Sequence, residues 1–227
     1  MTLLDAKKAL GRKSAGLVEN GMIVGLGSGS TAECFIESLF HRVRDEGIKI
    51  EAVASSRRSS ELAQAGGIKV VDINTVPKID LTVDGADEID PLKRMIKGGG
   101  GALLREKILA AASAEMVVIA DESKLVPTVG RGKLPVEVLY YGSPSTRMKI
   151  EDLGYAGAWR MSNEGSLFLT DNGNLIFDIA FDSPPPIPEQ VNEELIHIPG
   201  VIETGFFFNL AGRVYIGYTD GRIEIRT

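Results

Sequence analysis

The stretch MIVGLGSGST, residues Met22–Thr31, decides the fold of this 227-residue chain. It opens with a short apolar run bounded by glycine, a pattern that predicts a buried strand. It ends where apolar residues begin to recur at helical spacing, at positions 32, 35, 36, 39 and 40. A strand, a glycine-rich turn and a helix in this order predict an α/β protein.

The loop Gly25–Thr31 combines glycines with three hydroxyl side chains. Its backbone N–H groups and the dipole of the following helix favour a phosphate group, and Ser28, Ser30 and Thr31 favour a small phosphorylated ligand. The spacing is neither the dinucleotide fingerprint nor a P-loop, because G-x-x-G and G-K-[ST] are both missing. The alternative is a tight turn with an ordinary serine cap, and the spacing of Ser30 and Glu33 predicts a capping box.

Apolar runs and helical patterns alternate through the first half of the chain. Helices are predicted at residues 3–19 and 59–65, and strands at residues 50–54, 68–71, 79–83 and 116–120. Near-continuous apolar strands are typical of a parallel sheet with both faces covered. Because ligands bind beyond the carboxyl ends of such strands, we expect the loops at Ser28, Asp84 and Asp121 to share one cleft.

The pattern changes after about Pro127. A hairpin is predicted over residues 167–179, with helices at 145–153 and 189–197 and strands at 136–140 and 201–209. We therefore predict a Rossmann-like, mainly parallel α/β domain of residues 1–129 plus 208–227, with a smaller ferredoxin-like α+β domain inserted at 130–207. The insert could close the cleft or form a subunit interface, and Phe206–Phe208 favours a buried sheet core ahead of an interface.

A second glycine-rich segment, Lys97-Gly98-Gly99-Gly100-Gly101, precedes a run of helix formers. Four ordered glycines indicate φ > 0 or close approach, and here they suggest N–H groups that converge on an anion beside a cation and a helix N-terminus. Apolar residues cover nearly the whole circumference of the helix, which predicts burial on all sides. Glu106 projects between Leu109 and Ala110. It is either part of a solvated first turn or a buried carboxylate with a raised pKa, suited to a general base.

An acidic loop follows the predicted strand at 79–83 and contains Asp84, Asp87, Glu88 and Asp90. Such loops bind Mg²⁺ or Ca²⁺, although the EF-hand spacing is absent; acid–base chemistry and simple solvation are the alternatives. Lys124 lies just past another strand. It is a surface residue by position, or an anion contact if the phosphate loop lies beside it.

Composition narrows the class of protein. The apolar fraction of 44% and charged fraction of 25% are ordinary for a globular chain, and a net charge of −6 without a basic stripe argues against nucleic acid. No apolar run reaches the length of a membrane span, and no signal-peptide pattern opens the chain. The single cysteine, Cys34, and only two histidines argue against a disulfide and a histidine metal site. We expect a cytoplasmic globular protein.

Several motifs, in order and in register, resemble the A-type ribose-5-phosphate isomerase family over essentially the whole chain. They are the segments 25–32, 84–88, 97–100, 105–107, 120–124, 134–138 and 170–174. The resemblance implies interconversion of ribose 5-phosphate and ribulose 5-phosphate without a cofactor or metal, with no nucleic-acid or membrane partner, by a homodimer or homotetramer.

The resemblance also implies roles for individual residues. Glu106 is the general base that moves a proton between C2 and C1, and Asp84 serves sugar ring opening. Asp87 and Lys97 hold the hydroxyls and stabilise the enediolate. The substrate-binding positions are Ser28, Gly29, Ser30, Thr31, Gly85, Ala86, Gly98, Gly99, Gly100 and Lys124, with Lys7 near the phosphate.

Two positions depart from the family's usual pattern. Residue 28 is serine where threonine is common, which keeps the hydroxyl and loses a methyl group. Arg57-Arg58 stands where small or acidic residues are usual, and a surface loop or a helix start explains it. Neither position touches the expected catalytic groups, although both could change substrate affinity.

Three other functions fit parts of the pattern. A sugar-phosphate sensor would have the same loop without chemistry, a CoA-transferase-like enzyme would use a glutamate nucleophile, and a Mg²⁺-dependent phosphatase would use Asp84 and Asp87. We also hypothesise that N–H groups of residues 98–101 stabilise the enediolate as an oxyanion hole would.

Overall fold

The structure, a computed structural model, describes residues 2–227. It contains six α-helices: α1 (Leu3–Ala15), α2 (Gly29–Asp45), α3 (Arg57–Ala65), α4 (Leu103–Ala111), α5 (Ser143–Asp152) and α6 (Pro188–Ile196). The strands are β1 (Ile23–Leu26), β2 (Glu51–Ala54), β3 (Lys69–Val70), β4 (Leu81–Asp84), β5 (Glu88–Ile89), β6 (Met95–Ile96), β7 (Met116–Asp121), β8 (Lys133–Val138), β9 (Gly157–Trp159), β10 (Leu175–Ala180), β11 (Val201–Thr204), β12 (Phe206–Phe207), β13 (Val214–Gly217) and β14 (Ile223–Arg226).

The chain divides into two compact units. The first comprises the chain up to Ala86 together with Arg105–Leu125 and Leu210–Thr227. Its seven-stranded sheet has the order β14-β13-β7-β4-β1-β2-β3, and every neighbouring pair is parallel except β13 with β14. The predicted α/β class with a mainly parallel sheet is therefore confirmed.

The core of the first unit lies between this sheet and its helices. All six residues of β7 are buried, and so are all four of β4. Val24, Phe35, Leu39 and Val117 are among the residues that pack together there. Strands buried on both faces need apolar side chains at consecutive positions, which is why the strands read as continuous apolar runs in the sequence.

The second unit comprises Asp87–Leu104 and Val126–Asn209. Its elements follow the order β8-α5-β9-β10-α6-β11, and the four strands form an antiparallel sheet in the order β11-β8-β10-β9. This is the ferredoxin-like arrangement. A separate three-stranded sheet, β12-β6-β5, completes the unit. Phe206 and Phe207 are buried, as predicted for sheet core.

Several sequence predictions about single elements were wrong. The helix predicted at 3–19 ends at Ala15, because Gly16 is a poor helix former and the chain turns there. Residues 167–169 were predicted to pair with the strand that is now β10, but they make only isolated bridges. Strand β10 instead pairs with β8 and β9. The strand predicted at 201–209 breaks at Gly205, where a Cβ would lie 2.6 Å from the carbonyl oxygen of Lys97.

The capping box predicted for Ser30 and Glu33 is also wrong. Helix α2 begins at Gly29, so its N-cap is Ser28, two residues earlier than the Ser30 that the box requires. The Glu33 carboxylate instead pairs with Arg58, which lies on the exposed first turn of α3. As for the membrane, none of the helices in residues 2–227 is both long enough and apolar enough to span one.

Candidate active site

The first glycine-rich segment is shaped by its neighbours in the sheet. Gly25 lies opposite Thr82 in the β1–β4 register, and a Cβ on Gly25 would come within 1.9 Å of the Thr82 hydroxyl. A Cβ on Gly27 would lie 2.1 Å from the carboxylate of Asp84. These two glycines therefore leave space for the side chains of Thr82 and Asp84 on β4.

Residues Ser28 to Thr31 form the entrance to α2. The Ser28 side chain makes no cap hydrogen bond to the helix within the described residues, and its hydroxyl lies 2.7 Å from the hydroxyl of buried Ser55. Gly29 has a φ of 84°, which turns the chain into the helix. The first turn of α2 thus presents N–H groups and the Ser30 hydroxyl, as a phosphate site requires.

Two lysines lie in the same unit. The Lys7 amine is 3.0 Å from the Ser30 hydroxyl and 3.8 Å from the Asp121 carboxylate, which is buried. Lys124 is half-buried on the short turn Glu122–Lys124. Glu122 anchors this turn by accepting hydrogen bonds from Thr219, and these lower the pKa of Glu122.

Asp84 ends β4 and is fully buried. Its Oδ1 accepts the N–H groups of Ser28, at 3.0 Å, and of Gly85, at 2.7 Å. The carboxylate therefore links the end of β4 to the glycine-rich loop that follows the neighbouring strand β1. Gly85 and Ala86 follow Asp84 in the chain, and Ala86 is the last residue of this segment of the first unit.

Glu106 is buried, with 4% of its surface exposed. It shares a helix face with Leu109 and Ala110, both buried, as the 100° periodicity predicts. The Glu106 carboxylate is therefore buried, and it is not part of a solvated first turn. The prediction that the helix is buried on all sides is wrong, because Ile108 on the opposite face is 46% exposed.

In the second unit, Asp87 and Lys97 flank the hairpin of β5 and β6. Glu88 pairs with Ile96 in this hairpin, so the next residues outward, Asp87 and Lys97, lie opposite each other. The N–H of Asp87 donates to Ile96, and Lys97 donates its own N–H to Gly205. The Lys97 side chain is buried, and its amine lies 5.4 Å from the centre of the Phe207 ring. Sequence patterns missed this hairpin because each strand has only two residues.

The glycine run itself is a tight turn. The N–H of Gly99 donates to Asp87 Oδ2 at 2.7 Å, and the N–H of Gly101 donates to the Gly98 carbonyl at 2.9 Å. The N–H groups of Gly99 and Gly101 are therefore used within the protein. Within residues 2–227, no hydrogen-bond acceptor is found for the N–H groups of Gly98 and Gly100.

The acidic loop does not gather into a metal site. Glu88 accepts the backbone N–H groups of Gly130, Arg131 and Gly132, and Asp90 pairs with Arg94 at 2.6 Å. These contacts order two loops. No group of three His, Cys, Asp or Glu side chains that could hold a metal ion occurs between residues 2 and 227.

One contact had no signal in the sequence. Arg160 donates to the carbonyls of Gly98 and Gly99, about sixty residues away along the chain. No short motif joins these positions, because the contact depends on how the strand β9 is placed within the second unit. Only the three-dimensional structure reveals it.

The fold and these side chains define a class of protein: an α/β protein with a glycine-rich loop before a helix, buried carboxylates and a buried lysine. Comparison with known proteins narrows the class. The family model of ribose 5-phosphate isomerase A (phosphoriboisomerase A) matches residues 51–221. This chain belongs to that family.

Individual relatives agree. Ribose-5-phosphate isomerase A of Protochlamydia amoebophila is 50% identical over 98% of this chain and 95% of its own length. The structure of ribose 5-phosphate isomerase A from Methanocaldococcus jannaschii matches with a TM-score of 0.91 at 33% identity, over 98% of each chain. A D-ribose-5-phosphate isomerase in complex with phospho-erythronic acid matches with a TM-score of 0.94 at 33% identity, over 100% of this chain and 99% of that one.

Proposed function

We propose that this protein interconverts D-ribose 5-phosphate and D-ribulose 5-phosphate, an aldose–ketose isomerisation through an enediolate. Family membership supports the reaction, and the buried Glu106 carboxylate is the observation that carries the mechanism. A base surrounded by protein rather than water keeps the proton it removes available for return. The proposed reaction needs no cofactor or metal.

The phosphate of the sugar is bound by the first unit. The N–H groups at the start of α2, the hydroxyls of Ser28, Ser30 and Thr31, and the amines of Lys7 and Lys124 supply the contacts. Lys7 already lies 3.0 Å from the Ser30 hydroxyl, so a phosphate at the helix start would meet its charge. Binding energy from this remote group positions the reacting carbons.

Proton transfer uses the carboxylates and the glycine run. Asp84 assists opening of the furanose ring by moving the ring-hydroxyl proton. Glu106 then removes the proton from C2 of the aldose and returns it to C1, while O1 passes through negative charge and takes up a proton and the C2 hydroxyl releases its proton as the C2 carbonyl forms. Lys97 and the N–H groups of Gly98 and Gly100 stabilise that charge, and Asp87 binds a sugar hydroxyl.

Replacement of Glu106 tests this mechanism. Glu106→Gln keeps the size of the side chain and removes the base, so kcat should fall about 10²- to 10⁴-fold. The affinity for 4-phospho-erythronic acid should stay within a few-fold. Turnover is followed by a coupled ketose assay, and deuterium from solvent is followed into C1 and C2. Glu61→Gln, an exposed carboxylate on α3, is the control and should keep wild-type turnover.

The same assay separates the other functions. A Glu106→Gln variant with near-native turnover contradicts the proposed base, and a wild-type chain that binds the sugar phosphate without turnover indicates a sensor. A covalent glutamyl adduct that forms only with a CoA ester indicates a transferase. Loss of phosphate release in EDTA indicates a metal-dependent phosphatase.

We further propose that the protein is a homodimer or homotetramer that acts in the cytoplasm. Tyr140 and Tyr141, which follow β8, are 60% and 87% exposed, and Met148 nearby in the chain is 58% exposed. Adjacent exposed aromatics are typical of an interface. Light scattering should show smaller particles for Tyr141→Ser than for Leu92→Ser, where the wild-type leucine is 72% exposed. We propose that the inserted domain at residues 130–207 acts either as a lid or as this subunit interface.

A further inference from the structure

Arg160 connects three parts of the second unit. It directly follows β9, and its Nε and one terminal nitrogen bind the two carboxylate oxygens of Asp178 at 3.0 and 2.5 Å. Its other terminal nitrogen donates to the carbonyl oxygens of Gly98, at 2.8 Å, and Gly99, at 3.0 Å. One guanidinium therefore ties β10 to the glycine run.

The contact is enclosed. The side chain of Arg160 is only 15% exposed and that of Asp178 only 9%. The Phe168 ring lies 5.8 Å from the guanidinium carbon, and the same ring packs so close to Gly101 that a Cβ there would lie 2.4 Å from it. A two-point ion pair and a ring on one side hold the guanidinium at one orientation.

The orientation of the two carbonyls decides where the neighbouring N–H groups point. In a planar trans peptide the C=O of one residue and the N–H of the next point in opposite directions. When the Gly98 carbonyl faces Arg160, the Gly99 N–H faces away from it, and Asp87 accepts that N–H at 2.7 Å. The Gly99 carbonyl also faces Arg160, so the Gly100 N–H faces away from it too, toward the side on which Asp87 lies.

We propose that Arg160 is a positioning residue for the isomerisation proposed above, on which this inference rests. It holds the carbonyls of Gly98 and Gly99 and so aims the Gly100 N–H at the oxygen that becomes negative in the enediolate, with Asp87 beside it. Hydrogen bonds from a cation also polarise the two peptide groups, which makes their N–H groups stronger donors.

Arginine is required for this geometry. A lysine at position 160 keeps the charge, but it lacks the planar fork that grips Asp178 at two points and reaches two carbonyls at once. The alternative is that Arg160 only joins β9 to the glycine run, in which case its loss lowers stability without a specific effect on the chemical step.

The experiment compares Arg160→Ala and Arg160→Lys with wild type. Arg160→Ala should lower kcat about 10- to 100-fold, as expected for a misplaced oxyanion donor, and Arg160→Lys should lie between it and wild type. KM and the inhibition constant of inorganic phosphate should change less than about threefold, because the phosphate contacts are elsewhere. The inhibition constant of 4-phospho-erythronic acid, whose carboxylate imitates the enediolate, should rise by about the factor lost in kcat/KM.

Two controls make the result decisive. Arg147→Ala removes another arginine of the same unit, one that pairs with Glu151 and lies over the Phe177 ring, and it should keep the wild-type kcat. Melting temperatures show that each variant is folded during the assay. If Arg160→Ala does not fold, Arg160→Lys and Asp178→Asn take its place. In those variants kcat should fall while the inhibition constant of inorganic phosphate changes less than about threefold.

Two results would overturn the inference. The first is an unchanged kcat in folded Arg160→Ala or Arg160→Lys; the second is an equal loss of affinity for phosphate and for 4-phospho-erythronic acid. Either result with an active wild type overturns the role of Arg160 alone. A wild-type chain without turnover overturns the proposed function, and the role of Arg160 with it.

Discussion

The two glycine-rich segments, Gly25–Gly29 and Gly98–Gly101, differ in what surrounds them. In the first, glycine makes room for side chains of the adjacent strand, Thr82 and Asp84, and then turns the chain into α2. In the second, the backbone itself is gripped: its carbonyls face Arg160 and one N–H faces Asp87. The first segment is held by the adjacent strand β4, whose Asp84 accepts the Ser28 N–H, whereas the second is held by Asp87 and by Arg160.

This difference matters for function. A loop at a helix start binds phosphate through local backbone geometry, so it needs few partners from elsewhere. A donor that stabilises a transient charge must be held at one position before the reaction, and that requires support from surrounding groups. The first segment is therefore suited to anchoring and the second to chemistry.

The largest expected effect is that of Gly27→Ala. Its Cβ would lie 2.1 Å from the buried Asp84 carboxylate, so either the loop or the carboxylate must move. We expect a loss of about 3 kcal/mol in the free energy of unfolding, at the upper end of overpacking costs. Gly100→Ala is the matched control, since no heavy atom of the described residues, apart from residues 99–101 themselves, lies within 4 Å of its Cβ, and urea unfolding should show little change. Equal losses in both variants would contradict the distinction drawn here.

Gly101→Ala should cost somewhat less, about 2 kcal/mol. Gly101 has a φ of 83°, where alanine is strained by about 1 kcal/mol or more, and its Cβ would also meet the Phe168 ring. The double variant Gly101→Ala/Phe168→Ala should lose less than the two single changes added together, because the clash is removed while the backbone strain stays. Strictly additive losses in the free energy of unfolding, measured in urea, would show that the Phe168 ring does not clash with a Cβ at position 101.

Lys7→Ala tests the anchoring role of the first segment. Removing one cation from the phosphate should raise KM about tenfold with kcat unchanged, the signature of lost uniform binding. Lys8→Ala, an exposed neighbour on the same helix, should leave both constants unchanged. A fall in kcat without a change in KM would assign Lys7 to the chemical step instead.

The smallest expected effect lies outside both segments, at the pair of Glu115 and Arg213. Two hydrogen bonds from Arg213, at 2.6 and 2.7 Å, lower the pKa of Glu115. A carboxylate with a lowered pKa in the folded state contributes stability above its unfolded pKa of about 4.3 and loses it as the pH falls through the folded value. The pair is partly exposed, so the contribution should be below about 1 kcal/mol.

Glu115→Gln measures that contribution. Wild type should unfold at a higher urea concentration than the variant near neutral pH, and the two midpoints should approach each other as the medium is acidified below the usual range of glutamate. A gap that widens in acid would contradict the assignment. Turnover should be the same in both proteins at neutral pH, because neither side chain of the pair is among the proposed site residues.

The sequence by itself was sufficient for the α/β class, the glycine turn before α2 and the helix face of Glu106, whereas the structure decided that Glu106 is buried. Each depends on periodicity or on neighbours within a few residues: apolar strands, a glycine turn before a helix, and Glu106 on the same helix face as Leu109 and Ala110. Such local signals can be read from the amino-acid sequence alone. The start of α2 at Gly29 and the end of α1 at Ala15 were missed because the last residue of a helix depends on which of several competing hydrogen bonds forms there.

Only the tertiary structure decided the use of the acidic loop and of the glycine run. Glu88 and Asp90 bind loop N–H groups and Arg94, whereas Asp84 and Asp87 accept N–H groups of the two glycine-rich segments. The orientation of the Gly98 and Gly99 carbonyls depends on Arg160, whose position follows from the pairing of β9 with β10. Contacts between residues distant in sequence leave no spacing to read, so a chain alone reveals which residues are available but not which neighbours they meet.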